Sequence, residues 1–325
     1  MLLDNYSPSN ILTKLPKIVK QIQQQQLTEI NYAYQRSISY SQLSIYNSCA
    51  HKWKLQYRDG VVVPSFSIHT IFGTALHETL QHYLTIFYEK SGAEADKLDI
   101  EEYFKTKFIE QYQIAFNSNN KTHFSSSQEL REFHDDGLEI IKWVKKHKSE
   151  YFGKRGWYLV GCEIPLVITP DKRYKNVLYK GFLDLVLYHE PTETIKIIDI
   201  KTSTRGWGDK EKKDEQKQYQ LILYKEFLSK QFNIEPDNIE IEFFIVKRKI
   251  YTESEFPQKR IQLFSPPSGK IKTKKAVSSV TNFIEEVFNT DGTLKDREYI
   301  ANPSKWNCSY CPFASKKELC DKSIL

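Results

Sequence analysis

Two aspartates and a lysine, Asp184, Asp199 and Lys201, sit in stretches whose pattern predicts paired strands. Residues 182–188 alternate, so the two-residue period of a strand sets Leu183, Leu185 and Leu187 on one face and Asp184 on the other. Beyond a polar turn at Glu190, Pro191 and Thr192, the isoleucine-rich run 195–201 predicts a second strand carrying Asp199 and Lys201 on one face. Gln220 and Tyr224 follow in a helical pattern with Leu221, Leu223 and Phe227, and their spacing of four puts both on one side of that helix. Two carboxylates converging in a partly buried place repel each other unless a cation neutralises them. Hard oxygen ligands of this kind suit magnesium or manganese. Magnesium keeps water and substrate phosphate oxygens in its remaining positions, which is an arrangement for phosphodiester hydrolysis. Lys201 would meet the attacking water or the phosphate.

Gly181-Phe-Leu-Asp184, Asp199-Ile-Lys201 and Gln220-Leu-Ile-Leu-Tyr224 resemble the successive motifs of PD-(D/E)XK nucleases of the RecB type, with Leu183 standing where the family's name has its proline. Upstream, residues 70–90 predict a helix with Leu76, Leu80, Tyr83, Leu84 and Phe87 on its apolar stripe and His77 at the edge. A histidine there could simply belong to the core, but Gly73-Thr-Ala-Leu-His77 resembles the family's glycine-to-histidine motif, whose histidine reaches the metal. The resemblance implies Asp184, Asp199, Lys201, Gln220 and Tyr224 as catalytic residues. It implies His77, Asp184, Asp199 and the backbone carbonyl of Ile200 as ligands of Mg2+ or Mn2+. Glu163, in a strand-like run before the hairpin, is as readily a surface charge as a supporting residue.

Five cysteines in a chain without an N-terminal apolar run argue against a disulfide framework and for metal ligation or redox chemistry. Cys308 and Cys311 have the two-residue spacing that lets both thiolates face one metal, and Cys320 adds a third sulfur. Cys49 is the natural fourth, because Cys162 falls inside a predicted core strand. By spacing alone zinc would bind equally well. One upstream cysteine plus a C-terminal triplet resembles the iron-sulfur cap of the AddB-like, exonuclease V-like and CRISPR-adaptation branches of the RecB-type nucleases. That resemblance implies a [4Fe-4S] cluster joining the N- and C-terminal parts, although the gap from Cys311 to Cys320 is longer than the family's usual spacing.

The elements that must position these residues can be laid out along the chain. Residues 1–35, with the glutamine run 21–26, predict an amphipathic N-terminal arm, and residues 36–325 one nuclease domain. Within it, a helix capped at Ser39 or Ser41 runs through Cys49 to Trp53, and a helical insertion spans 60–150. The catalytic sheet core is placed at 156–265, with a polar lysine-rich loop at 202–217, and the cysteine cap at 300–325. The expected fold is α/β: a restriction-endonuclease-like mixed central sheet flanked by helices.

A net charge of +6 and 14% aromatic residues suit a polyanionic partner, DNA ends or single strands, without requiring one. No run approaches a membrane span, which predicts a soluble, intracellular, cytoplasmic protein. No Gly-x4-Gly-Lys-Ser/Thr phosphate loop occurs, so any unwinding falls to a separate helicase or recombination protein. The leading expectation is a metal-dependent DNA nuclease, probing ends or single strands as an exonuclease. The alternatives are a nucleic-acid-binding recombination subunit with a vestigial site and an RNA-directed nuclease of the same fold.

Overall fold

In the computed structural model, residues 15–25, 29–251, 255–256 and 258–325 are described; residues 1–14 of the N-terminal arm and Gln26 of the glutamine run lie outside them. The elements in chain order are α1 (Lys17–Gln24), β1 (Arg36–Ile38), α2 (Tyr40–Ser48), α3 (Ala50–Trp53), α4 (Ile68–Glu89), α5 (Gly92–Asp96), α6 (Ile100–Ser118) and α7 (Ser127–Tyr151). They continue with β2 (Trp157–Ile168), β3 (Val177–His189), β4 (Thr194–Ser203), α8 (Asp209–Lys213), α9 (Glu215–Phe232), β5 (Ile239–Lys247), β6 (Ile261–Phe264), α10 (Lys270–Val287) and α11 (Lys305–Ser309).

The strands form one mixed six-stranded sheet organised on β3. Along one edge β3 pairs antiparallel with β2. Along the other it pairs parallel with β1 at Val177 to Tyr179 and antiparallel with β4 from Leu185 onward. β5 lies parallel to β4, as a strand joined to it through a helix can, and β6 closes that edge antiparallel. Apolar side chains leave both faces of the sheet, so each face is covered by helices. On one face Ile195, Ile197, Val186 and Tyr188 pack with Leu221, Phe227, Phe283 and, from α1, Val19 and Ile22. On the other, Leu185, Leu187, Ile198 and Ile200 pack with Leu76, Phe72, Phe104 and Ile140 of the helical wall α4–α7. Arg248, past the end of β5, fastens that wall: it pairs with Glu132 and Asp136 of α7 and lies 4.0 Å from the Phe133 ring centroid.

Three expectations change. Leu183 does not share a face with Leu185 and Leu187: it packs in the α9 core with Val186, while they pack against the helical wall. The strand alternation therefore slips by one residue between Leu183 and Leu185, at Asp184, although the pairing with β2 stays in register there. The helix expected to run through Cys49 breaks there, because Cys49 is extended (φ −161°, ψ 105°) between α2 and α3. Of the two candidate caps, Ser39 accepts from the Gln42 amide while Ser41 lies inside the helix. The loop expected over 202–217 holds the short helix α8, and Asp214 caps α9 by accepting from the Gln216 amide.

Candidate active site

The β3–β4 ladder stops at the pair Leu185 and Ile198. One more step in that register would set Asp184 opposite Asp199, so the aspartates stand where the strands part. In place of a further ladder bond, the Ile200 amide donates to Asp184 Oδ2 at 2.8 Å. The slip at Asp184 turns it toward α4, where His77 Nδ1 lies 3.6 Å from its Oδ2. Asp199 alternates with Ile198 and Ile200 and so faces the α9 side, 1% exposed, with the Lys201 ammonium 2.7 Å from its Oδ2. The site therefore reaches through the fork, with one carboxylate presented from each side of the sheet.

Two glycines permit the close packing this needs. A Cβ on Gly73 would come within 3.2 Å of Thr202 Oγ1, tight enough that the threonine side chain or α4 would have to give way slightly. A Cβ on Gly181 would meet the Tyr224 ring at 3.0 Å. The second contact holds α9 against β3, where Gln220 Nε2 donates to the Tyr224 hydroxyl at 3.2 Å.

The electrostatics follow from burial. Asp184 is held well above the usual carboxylate range, first because it is buried and then because Asp199 stands near it; Lys201 and the Ile200 amide pull the other way. His77 is lowered, chiefly by burial, against the opposing pull of Asp199. The Tyr224 hydroxyl is raised, first by burial and further by the charges of both aspartates and Glu163. Both Asp199 oxygens are buried, and apart from the Lys201 ammonium neither has a hydrogen-bond partner among the described residues. A buried carboxylate in that condition wants a cation.

Two more residues enter the site: Glu163, which the sequence left open between a supporting residue and a surface charge, and Gln81, which it did not assign. Glu163 lies on β2 at the position that would pair with Asp184, in the left-handed region at φ 53°, a strained setting for a residue with a side chain. Gln81 Nε2 donates both to Glu163 Oε1 at 2.7 Å and to the Asp184 carbonyl at 2.9 Å. Gln81 follows His77 by one helical turn, so the spacing could have found it; nothing in the strand pattern signals the backbone of Glu163. Gly73, His77, Glu78, Gln81 and Glu163 line an open groove of ≈ 470 Å³ over this side of the fork.

The cysteines gather at the far ends of the chain. Cys49, Cys308, Cys311 and Cys320 line one cavity of ≈ 30 Å³. The Asn302 amide donates to Cys49 Sγ at 3.4 Å, and Asn307 Nδ2 donates to the Ser48 carbonyl at 3.0 Å, tying α11 to the break after α2. Cys320 is raised first by burial and also by the nearby Cys49 and Cys311 sulfurs. Cys308 is held below its ordinary value, foremost by a hydrogen bond with the Ile324 backbone. Cys162 is elsewhere, beside Thr85, with burial pushing its thiol up to about 11. Among the described residues no three His, Cys, Asp or Glu side chains are closed into a ligand set for a metal ion, at the fork or at the cysteines. Sharing a cavity wall is a looser relation than a closed shell, and it is the one the four cysteines have.

No curated protein matches this chain. Among solved structures, a presumed exonuclease from Eubacterium rectale is 14% identical, with 84% of this chain and 90% of that one covered, at a TM-score of 0.44. Among the described residues no helix is long and apolar enough to cross a membrane. The family model of the PD-(D/E)XK nuclease superfamily matches residues 37–316, the span that holds the mixed sheet save Arg36, the fork and every residue placed in it, and the chain belongs to that superfamily.

Proposed function

We propose that this chain is a metal-dependent deoxyribonuclease of the RecB type, an exonuclease that hydrolyses DNA ends or single strands in recombination, repair or replication. The observation that carries the reading is the fork itself: two crowded carboxylates, Asp184 and Asp199, with the Lys201 ammonium 2.7 Å from the second. Asp184, Asp199, His77 and the Ile200 carbonyl would hold Mg2+ or Mn2+, and the buried Asp199 oxygens, with no partner among the described residues besides the Lys201 ammonium, are what make the donor set fit. When bound, such an ion neutralises the carboxylates, polarises a phosphate oxygen and makes a bound water more acidic. Lys201 is a compact cation with three donors, placed to hold a phosphate oxygen or orient the attacking water. Gln220 and Tyr224, bonded to each other on one face of α9, are positioning residues on the opposite wall. Gln81 fixes the backbone of Asp184 and the carboxylate of Glu163, so that neither has to be ordered when substrate arrives.

Cys49, Cys308, Cys311 and Cys320 would hold a [4Fe-4S] cluster, with zinc as the competing occupant. Support comes from their shared cavity and from the lowered thiol of Cys308. Such thiols persist in a reducing cytoplasm, and unwinding would come from a separate helicase or recombination protein. The test is cleavage of end-labelled single-stranded and duplex DNA by purified protein with manganese, magnesium or chelator. Metal-dependent release of label is expected, and Lys201→Ala should lose turnover more than DNA affinity. No cleavage of either DNA with either metal would overturn the reading.

A further inference from the structure

Trp306 and Tyr310 are 68% and 71% exposed, and their rings meet edge to face with centroids 5.1 Å apart. Two large apolar rings side by side in water are unfavourable, yet the backbone beneath them is firmly held. Ser304 caps α11 by accepting from the Asn307 amide at 3.0 Å, Cys308, midway between the two in sequence, is buried, and Lys52 donates to the Tyr310 carbonyl at 3.3 Å. Over the Trp306 ring, at 5.4 Å from its centroid, stands the ammonium of Lys210, from the helix that follows the Asp199–Lys201 strand.

This patch connects to the fork. Asn307 bonds the Ser48 carbonyl, and the preceding Asn47 donates to Gln216 Oε1 at 2.8 Å and to Ser279 Oγ at 3.1 Å. Gln216 lines an open groove of ≈ 610 Å³ between α9 and α10 with Tyr219, the 77% exposed Ile271, and Lys274 and Lys275. Gln216, Gln220 and Tyr224 recur at intervals of four, so the groove floor continues as the row of side chains that reaches the active site. Lys272 and Lys275 share Glu215, whereas Lys274 has no acidic partner among the described residues.

We propose that Trp306 and Tyr310, with Lys210 and the Lys274 edge of the groove, form a stacking platform that holds an unpaired DNA strand on its way to or from the fork. Aromatic faces accept any exposed base and lysines follow the phosphates, whereas a duplex keeps its bases stacked inside and offers the rings nothing. The proposal rests on the nuclease reading for its substrate, and its test separates the two.

Binding of a labelled single-stranded oligonucleotide and of its blunt duplex would be followed by fluorescence anisotropy, using the full chain in chelator. Combining Trp306→Ala with Tyr310→Ala should weaken single-strand binding about tenfold or more while changing duplex binding less than about twofold. Phenylalanine at both positions should restore most of the affinity. Lys210→Glu with Lys274→Glu, exposed changes that spare the aromatic pair, should weaken single-strand binding and flatten its salt dependence. Unchanged single-strand affinity in the alanine pair would overturn the platform; equal loss for both DNAs would overturn it as well. Wild-type protein that never cleaves with manganese, yet shows the selective loss, keeps the platform and removes the nuclease reading. Normal metal-dependent cleavage with no selective loss does the reverse.

Discussion

The fork and the cysteine cap are assembled in opposite ways. At the fork, strand pairing itself forces two carboxylates together, and local backbone devices aim them: the slip at Asp184, the left-handed Glu163 and the amide of Ile200. Its geometry is set by main-chain hydrogen bonds and packing on both faces of a sheet. At the cap, residues far apart in sequence meet through a few bonds, from Asn302 and Asn307 to the break at Cys49 and from the His51 amide to the Ile300 carbonyl. The fork thus carries an electrostatic conflict between buried groups, and the cysteine region is a meeting of distant segments around a shared cavity. Loss of a ligand should cost chemistry at the first and folding at the second.

The largest effect should be at the fork. Asp184→Ala or Asp199→Ala should lower the cleavage rate by about 10³-fold or more, with thermal unfolding of the metal-free protein unchanged or slightly raised. Rate measurements beside a melting curve would break the comparison if stability fell with activity. At the cap the pattern should invert. Cys49→Ser should lower the Tm by roughly 10 °C or more, with lost activity following lost folded protein. Protein purified without oxygen should absorb broadly near ~400 nm as iron-thiolate clusters do, and colourless protein with one equivalent of zinc would replace the cluster with a zinc staple. A stable, active Cys49→Ser variant would remove both.

Smaller effects sharpen the account of the fork. Gln81→Ala should reduce turnover about tenfold, because the Asp184 carbonyl and Glu163 lose their common donor; a rate within twofold would make that bond incidental. The smallest effect is on stability. Asp184 is raised above its unfolded value, first by burial and then by Asp199, so its contribution is fully present below the unfolded value and is lost as pH rises through the raised one. Asp184→Asn keeps an oxygen for the Ile200 amide and does not titrate. Its advantage over the wild type in metal-free melting should therefore grow as pH climbs from the ordinary carboxylate range through neutrality, and a constant difference would contradict the conflict.

The identities of the fork residues were legible because their signals are short-ranged: two-residue alternation around Asp199 and Lys201, and four-residue spacing of Gln220 and Tyr224. The helical wall followed from the same periodicities, whereas the strand order, set by pairing between distant segments, was not read from them. What periodicity could not carry was any break in itself. The slip that separates Leu183 from Leu185, the extended backbone at Cys49 within an otherwise helical pattern, and the left-handed Glu163 each depend on tertiary contacts that override local preference. The helix Asp209–Lys213 was hidden by its charge, which resembles that of a solvated loop.

The claim that the fork is built around a missing positive charge is tested most directly by titrating manganese into the protein and following the heat of binding. The wild type should bind at the fork, with Asp184→Asn and Asp199→Asn each weakening that binding about tenfold or more, and with cleavage rising as the site fills. Manganese binding that neither substitution changes, with cleavage still metal-dependent, would contradict it.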